Sequence, residues 1–311
     1  MEQLYDIKKR IRSIGEIQQM TRAMKLVSAA KMRKSKAQLD RIFPFFSLCA
    51  ESMLEIQRSN KDIENPYFQL RKKRQGETWK IGYFILTGDQ GLAGAYNHNV
   101  IRIAEEYISE KILDNVNKGL KTESTLYVFG SVGREKLKHD GYPVDSEFSF
   151  PISEPTYYEA RNVADTIRRK YIEGDLDLVY LIYTKMESVI NMKPIIQRVI
   201  PVNTKALETI LPAGTSDAGM ALERGAHLTY HPNADAVFSF LIDTYLNAML
   251  YGALVEAYAS EQTARMTAMD NATNSADDML EDLTLKSNRA RQARITNELI
   301  EIVNGANQIH N

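Results

Sequence analysis

Apolar side chains along this chain keep three different rhythms, and each rhythm predicts a different kind of element. From about Gln3 to Gln57, Ile7, Ile11, Ile14, Ile17, Met20, Met24 and Val27 recur at steps of three and four, the spacing of one stripe on a helix. Only Gly15 and Pro44 interrupt it, and Pro44 is expected to kink the helix rather than end it. From Trp79 to about Val202 the rhythm changes. "KIGYFIL", "TLYVFG" and "DLDLVYLIY" are β-rich apolar runs, with helical stretches near Val100–Val116, Gly130–His139 and Tyr157–Ile172 between them. Strand alternating with helix predicts a sheet with parallel strands and helices on its faces. "MKPIIQRVIPV" is placed to add an edge or hairpin strand.

The third rhythm runs from Asn233 to Asn304 with no proline and one glycine, Gly252. Phe238, Leu241, Tyr245, Ala248, Val255, Ala259, Met266, Met269, Ala276, Leu283, Leu299 and Ile302 keep helical steps. Roughly 70 helical residues at ~1.5 Å each predict a rod of roughly 105 Å. A striped rod of that length cannot bury its seam alone. The first segment is the natural partner, because "ALVEAYASEQTARMTAM" is rich in small residues that permit close approach, and Met tolerates imperfect knobs.

The expected fold class is α/β, a long antiparallel coiled coil of N- and C-terminal helices with an inserted Rossmann-like α/β domain. The expected boundaries are a first coiled-coil helix at 1–60, a linker at 61–78 and the α/β domain at 79–202. A second linker follows at 203–231, then the second coiled-coil helix at 232–305 and a tail at 306–311.

Charge and cysteine add modest constraints. The 311 residues carry a net charge of −1, so no global excess calls for nucleic acid or an anionic membrane. Locally, residues 1–50 hold eleven Lys/Arg against four Asp/Glu. The single cysteine, Cys49, forms no internal disulfide. "MEQLYDIKKRIRSIGEIQQM" lacks the apolar core of a signal peptide, and Glu2, Asp6 and Glu16 count against a mitochondrial presequence. No uninterrupted apolar stretch of about 18 residues is seen, so no membrane span is expected.

Candidate chemistry is sparse. "TGDQGLAGAYN", Thr87 to Asn97, sits between a strand and a helix, where many proteins hold a phosphate. A P-loop needs Lys and then Ser/Thr after its last glycine, but Ala95 and Tyr96 follow Gly94. Gly88, Gly91 and Gly94 are spaced G-x-x-G-x-x-G, which is not the dinucleotide fingerprint either. A tight strand-to-helix turn accounts for them. His227 and His231 are four apart but sit in a linker without a third ligand; Asp277, Asp278, Glu281 and Asp282 read as a solvated helix face. The basic residues of "KMRKSK" (Lys31–Lys36), with Arg289, Arg291 and Arg294, are either solvated faces or tracks for acidic loops of a partner. Nucleic acid is weakened by the lack of interleaved aromatics.

Two long stretches carry a resemblance. "EIQQMTRAMKLVSAAKMRKSKAQL" (Glu16–Leu39) and "ASEQTARMTAMDNATNSADDMLEDLTLKSNRARQARITNELIEIVNGAN" (Ala259–Asn307) resemble the terminal signatures of the gamma subunit of F-type ATP synthases. "LTGDQGLAGAYN" is similar to that family's central glycine loop. The resemblance implies a non-catalytic rotor shaft of a proton-translocating F-type ATP synthase, without cofactor or metal. The implied partners are three alpha and three beta subunits around one copy, an epsilon subunit and the c-ring. Nucleic acid and direct membrane insertion are not implied. The implied place is the cytoplasmic side of the cell membrane, as a peripheral part of the complex.

By the same resemblance, Met24, Lys31, Arg33, Lys34, Glu261, Gln262, Arg265, Arg291, Gln292, Thr296 and Glu298 are expected to contact partners. Gln90 replaces an arginine common in the family, and "NQIHN" replaces a shorter apolar end. A cysteine-bearing regulatory insertion is lacking, which argues against a thiol switch. The other classes weighed are a nucleotide-dependent α/β enzyme with a coiled-coil arm and a coiled-coil scaffold protein.

Overall fold

The computed structural model describes residues 2–59, 65–188, 191–203, 207 and 230–309. Its elements follow the three rhythms. Helix α1 spans Glu2–Ser59 and continues through Pro44. Then come β1 (Thr78–Leu86), α2 (Tyr96–Asn117), β2 (Lys121–Phe129), α3 (Ser131–His139) and α4 (Tyr157–Glu173). Strands β3 (Leu178–Met186) and β4 (Met192–Ile200) precede α5, a helix of 76 residues from Ala234 to Ile309. Most of the second expected linker, His227 included, lies outside the described residues.

The chain forms two compact units, one of residues 1–30 with 265–311, the other of residues 31–264. In the smaller unit α1 and α5 run antiparallel. Residue numbers rise along one helix as they fall along the other: Gln18 donates to Asp277, Thr21 Oγ1 lies 2.8 Å from Thr273 Oγ1, and Lys25 pairs with Asp270. Thr21 and Ser28 on α1, and Met269, Thr273 and Ala276 on α5, are buried here.

The apolar stripe expected on α1 lies only partly in this seam, with Met24 half-buried as its first three members are. Ile7, Ile11 and Ile14 are half-buried, but Ile17, Met20 and Val27 are 49%, 63% and 56% exposed. The seam follows Gln18, Thr21, Lys25 and Ser28 instead. Each short hydroxyl can donate either to its own helix, Thr21 to Gln18 O or Thr273 to Met269 O, or across the seam to the other, so its polar group is satisfied inside the packed interface. Leu299 and Ile302, placed in the expected stripe on α5, are also exposed.

The larger unit is built on a four-stranded sheet of order β2-β1-β3-β4. Strand β1 pairs in parallel with β2 and with β3, while β4 is antiparallel to β3, as a hairpin strand. Side chains alternate across it with period two. Trp79, Ile81, Tyr83, Ile85, Leu126, Val128, Tyr180 and Ile182 face α2 and α3, meeting Val100, Ile101, Ala104, Ile108 and Leu137. Phe84, Leu86, Tyr127, Phe129, Leu181 and Tyr183 face the other way. They pack on α4, on Cys49–Ile56 of α1 and on Phe238–Tyr258 of α5.

That second face revises one expectation. Over an 18-residue window α5 is apolar enough, by length and composition, to cross a membrane, although no such stretch was expected. Of that window 56% is buried in the protein. The apolar side chains from Phe238 to Tyr258 are the ones that cover the sheet, so this is how a core helix reads.

Candidate functional site

In a doubly wound sheet, ligands sit beyond the carboxyl ends of the strands where the strand order reverses. Here the chain moves from β1 to β2 on one side and returns to place β3 on the other, so the reversal lies between β1 and β3. The glycine loop opens from the end of β1 at this crevice. Its contents decide whether the loop holds a ligand.

The crevice is filled by α5. Tyr96, the first residue of α2, donates its hydroxyl to Ala257 O at 3.1 Å. Ser260 Oγ donates to Thr184 O at 3.0 Å, and the Met186 amide donates to Glu256 Oε1 at 3.1 Å. Burial pushes the Glu256 carboxyl above the usual range, against the opposing pull of the Met186 amide and Lys185. One turn further, the Glu261 carboxyl lies where a side chain on Gly88 would be. A methyl group placed on Gly88 would be 2.7 Å from Glu261 Cδ and 2.8 Å from its Oε1.

The loop itself is tied down from below. Thr87, fully buried, donates its hydroxyl to Phe129 O at 2.6 Å and accepts from the Gly133 amide at 3.1 Å. Gly88 N donates to Asn97 Oδ1 at 2.8 Å. The Asp89 carboxylate accepts from Ser131 N at 3.1 Å and from Ile152 N at 2.7 Å. An anion at the start of α3 is what the helix dipole favours. The anion is a side chain of the protein. Gly130, at φ +79, lets the end of β2 pass close to Thr87 O, where a β-carbon would collide.

A second feature of the larger unit is a groove of about 270 Å³ lined by Lys31, Lys34, Ser35, Gln38, Tyr157 and Tyr251, among others. Lys34 Nζ lies 2.9 Å from Glu154 Oε2, both half-exposed. Lys34 holds the Glu154 carboxyl below its ordinary value, first by hydrogen bonding and then by charge, with Lys31 adding to it.

The residues expected to meet partners fall into distinct environments. Glu261 and Gln262 are buried, and Glu261 lies against the glycine loop. Lys31 is half-buried, whereas Arg33 and Lys34 are exposed. In the smaller unit Met24 is half-buried and Arg265 buried, but Arg291, Gln292, Thr296 and Glu298 are all exposed. Glu298 pairs with Arg294 at 2.6 Å, and Thr296 Oγ1 donates to Gln292 O at 3.0 Å.

Asp277, Asp278, Glu281 and Asp282 are exposed, with Asp282 paired to Lys286 at 2.6 Å. Among the described residues no group of three or more His, Cys, Asp or Glu converges in a way that could hold a metal ion. Glu256 and Ser260 carry no local signal in the sequence, because their partners Met186 and Thr184 lie 70 and 76 residues away. Tyr96 was visible only as a residue of the glycine loop, because its partner Ala257 lies 161 residues further along the chain.

Comparisons with known proteins agree with this architecture. The family model for ATP synthase matches residues 3–309. The ATP synthase gamma chain of Ruminiclostridium cellulolyticum is 38% identical over 304 residues, 98% of each chain. The sodium ion specific ATP synthase gamma chain of Acetobacterium woodii is 33% identical, covering 99% of each. A chain of the Euglena gracilis mitochondrial ATP synthase, in a structure of its OSCP, F1 and c-ring, shares the fold. Its TM-score is 0.63 at 14% identity, over 99% of this chain and 95% of that one.

Proposed function

This chain belongs to the ATP synthase family, among its gamma chains, and from that premise we propose that it is the central rotor shaft of an F-type ATP synthase. It couples ion flow through a membrane ring to ATP synthesis or hydrolysis at sites on surrounding alpha and beta subunits, three of each. The chain carries no catalytic site of its own. Its larger unit docks an epsilon subunit and the c-ring, which places it at the cytoplasmic face of the membrane. The coupled ion is chosen by the ring; a sodium ion specific gamma chain shares the whole length of this one.

The observation that carries the reading is the last part of α5. Every residue from Arg291 to Ile302 is exposed, and apolar Ile295, Leu299, Ile300 and Ile302 are interleaved with Arg291, Arg294 and Glu298. Apolar side chains left in water at the end of a long helix call for cover, and a surrounding head supplies it. The filled crevice supports the same reading from the other side, since the place where a nucleotide would bind is taken by Glu261 and Ser260.

Energies set how the shaft acts. An exposed ion pair is worth about 0–1 kcal/mol, whereas shifting a partner site tenfold takes about 1.4 kcal/mol. No single arginine drives a catalytic site through its states, so coupling is spread over many contacts. A shaft without threefold symmetry presents a different face to each of three sites. By linkage, each site's nucleotide state biases the shaft in return.

The test is co-expression with alpha and beta subunits. The chain is expected to purify at one copy per three of each and to restore ATP-driven ion pumping in vesicles. A chain that elutes alone, or that binds ATP, ADP or NAD tightly in direct titration, refutes the reading.

A further inference from the structure

Strand β3 outruns β1. The two pair from Ile81 with Leu178 to Ile85 with Ile182, whereas β3 continues to Met186. Over these last residues its strand partner is β4, with Thr184 opposite Pro194 and Met186 opposite Met192. Proline has no amide hydrogen to give. Thr184 and Pro194 are therefore one of the antiparallel pairs that exchange no hydrogen bonds, and the bonded pairs alternate with it. Glu187 N, which donates to Asn191 O at 3.1 Å, keeps that alternation. The backbone groups of Thr184 and Met186 thus point to the edge that β1 has left, where buried polar groups need other partners.

Helix α5 supplies them with two side chains one turn apart. Ser260 Oγ donates to Thr184 O at 3.0 Å, and Glu256 Oε1 accepts from Met186 N at 3.1 Å. Ser260 and Thr184 are both buried. The bond from the Tyr96 hydroxyl to Ala257 O, by contrast, uses a carbonyl that any residue offers. Rolling α5 by one residue brings Val255 with Ala259, or Ala257 with Glu261, to the two places, and neither pair has a hydroxyl for Thr184 O. Sliding it by a whole turn brings Gly252 with Glu256, or Ser260 with Ala264, and loses at least one of the two bonds.

We propose that Glu256 and Ser260 form a two-point polar clasp that selects the rotational and axial setting of α5 on the end of β3, which makes both positioning residues for coupling. This rests on the rotor reading of the chain. The clasp works by matching polarity: an acceptor for an amide and a donor for a carbonyl, in that order along the helix. Polar pairs of this kind fix register where apolar packing accepts several. The helix that carries the clasp also carries the exposed side chains from Arg291 to Ile302. Its setting therefore decides which of them each surrounding site meets.

The experiment uses the whole complex reconstituted in vesicles, with S260A, E256A, E256Q, the double variant S260A/E256A, and T156A as a control. T156A weakens a helix cap on α4 that has no part in the clasp. S260A and E256A are each expected to lower ions pumped per ATP hydrolysed by about threefold, the size of one lost hydrogen bond. The double variant is expected to lose more than the product of the two, since either point alone still holds the setting. E256Q keeps an acceptor for Met186 N and T156A keeps both bonds, so both are expected to pump like the wild type.

A double variant no worse than the product of the singles, E256Q as impaired as E256A, or T156A as impaired as S260A would each overturn the clasp. Should the variants not assemble, hydrogen exchange on the full-length chain decides the question. The Met186 amide is expected to exchange about tenfold faster in E256A than in the wild type or E256Q, and unchanged exchange would overturn the clasp. If the wild-type chain restores no pumping, the rotor reading fails instead, and the exchange measurement still tests the bond.

Discussion

Asp177 Oδ1 lies 3.1 Å from Nη1 of Arg71, so the carboxylate that opens β3 holds the segment leading into β1. Lys73 Nζ is 2.8 Å from the other oxygen, and the Lys80 amide donates to it at 3.0 Å. The Asp177 side chain is only 2% exposed. Burial alone would raise its pKa, but Lys73, the Lys80 amide and Arg71 outweigh it, and the value is lowered. A depressed carboxyl stabilises the fold above its unfolded value, about 3.9, and that contribution is lost as pH falls through the folded value. D177N is expected to cost about 3 kcal/mol at neutral pH, since it strips a buried partner from two cations. Melting temperatures of the two proteins should converge below pH ~4. A constant gap from neutral to acid pH would show that the charge of Asp177 is not what matters.

The seam of the smaller unit offers a second test. Thr21 Oγ1 and Thr273 Oγ1 lie 2.8 Å apart in a buried hydrogen bond; with one proton each, one hydroxyl donates across the seam while the other donates to its own helix. T21V and T273V are each expected to destabilise, with a coupling energy of about 1 kcal/mol in a double-mutant cycle. Chemical denaturation of the four proteins measures it. A coupling indistinguishable from zero would mean the pair does not set the helix register.

Helix α4 begins with a capping box. Thr156 Oγ1 accepts from the Glu159 amide, and the Glu159 carboxylate accepts from the Thr156 amide at 2.9 Å. T156A removes an N-cap and is expected to cost about 1 kcal/mol. T156S, which keeps the hydroxyl, should remain near the wild type by thermal unfolding.

Arg291 and Gln292 separate the chain's own stability from its work. Both side chains are exposed. Replacing them together with Ala should change the unfolding free energy of the chain by less than about 0.5 kcal/mol. In the assembled complex the double change is expected to weaken coupling or assembly, with milder effects from single changes. A complex that pumps and hydrolyses normally with both replaced removes these positions from the contact set.

Much of the candidate site was readable in part. Its glycine loop could be quoted and its phosphate function set aside from spacing alone, because Ala95 and Tyr96 stand where a lysine and a hydroxyl are required. What fills the crevice could not be read, because Glu261 and Gly88 are far apart in the chain and neither carries a local signature of the other. Glu261 lies buried against the protein's own loop.

The linear order of residues was enough to decide which elements exist, their order and their family, because helical and strand periods are local and the terminal signatures are long. It also decided that the sheet has two apolar faces, since side chains alternate whatever covers them. Tertiary structure decided the register. After Ile14, steps of three or four allow either Ile17 or Gln18 to come next, and apolarity alone favours Ile17. The packed helices select Gln18, Thr21 and Lys25, because each finds a polar partner across the seam, in Asp277, Thr273 and Asp270, that an apolar side chain could not use. Whether the crevice would be open or closed was likewise decided only when α5 came to lie across the ends of β1 and β3.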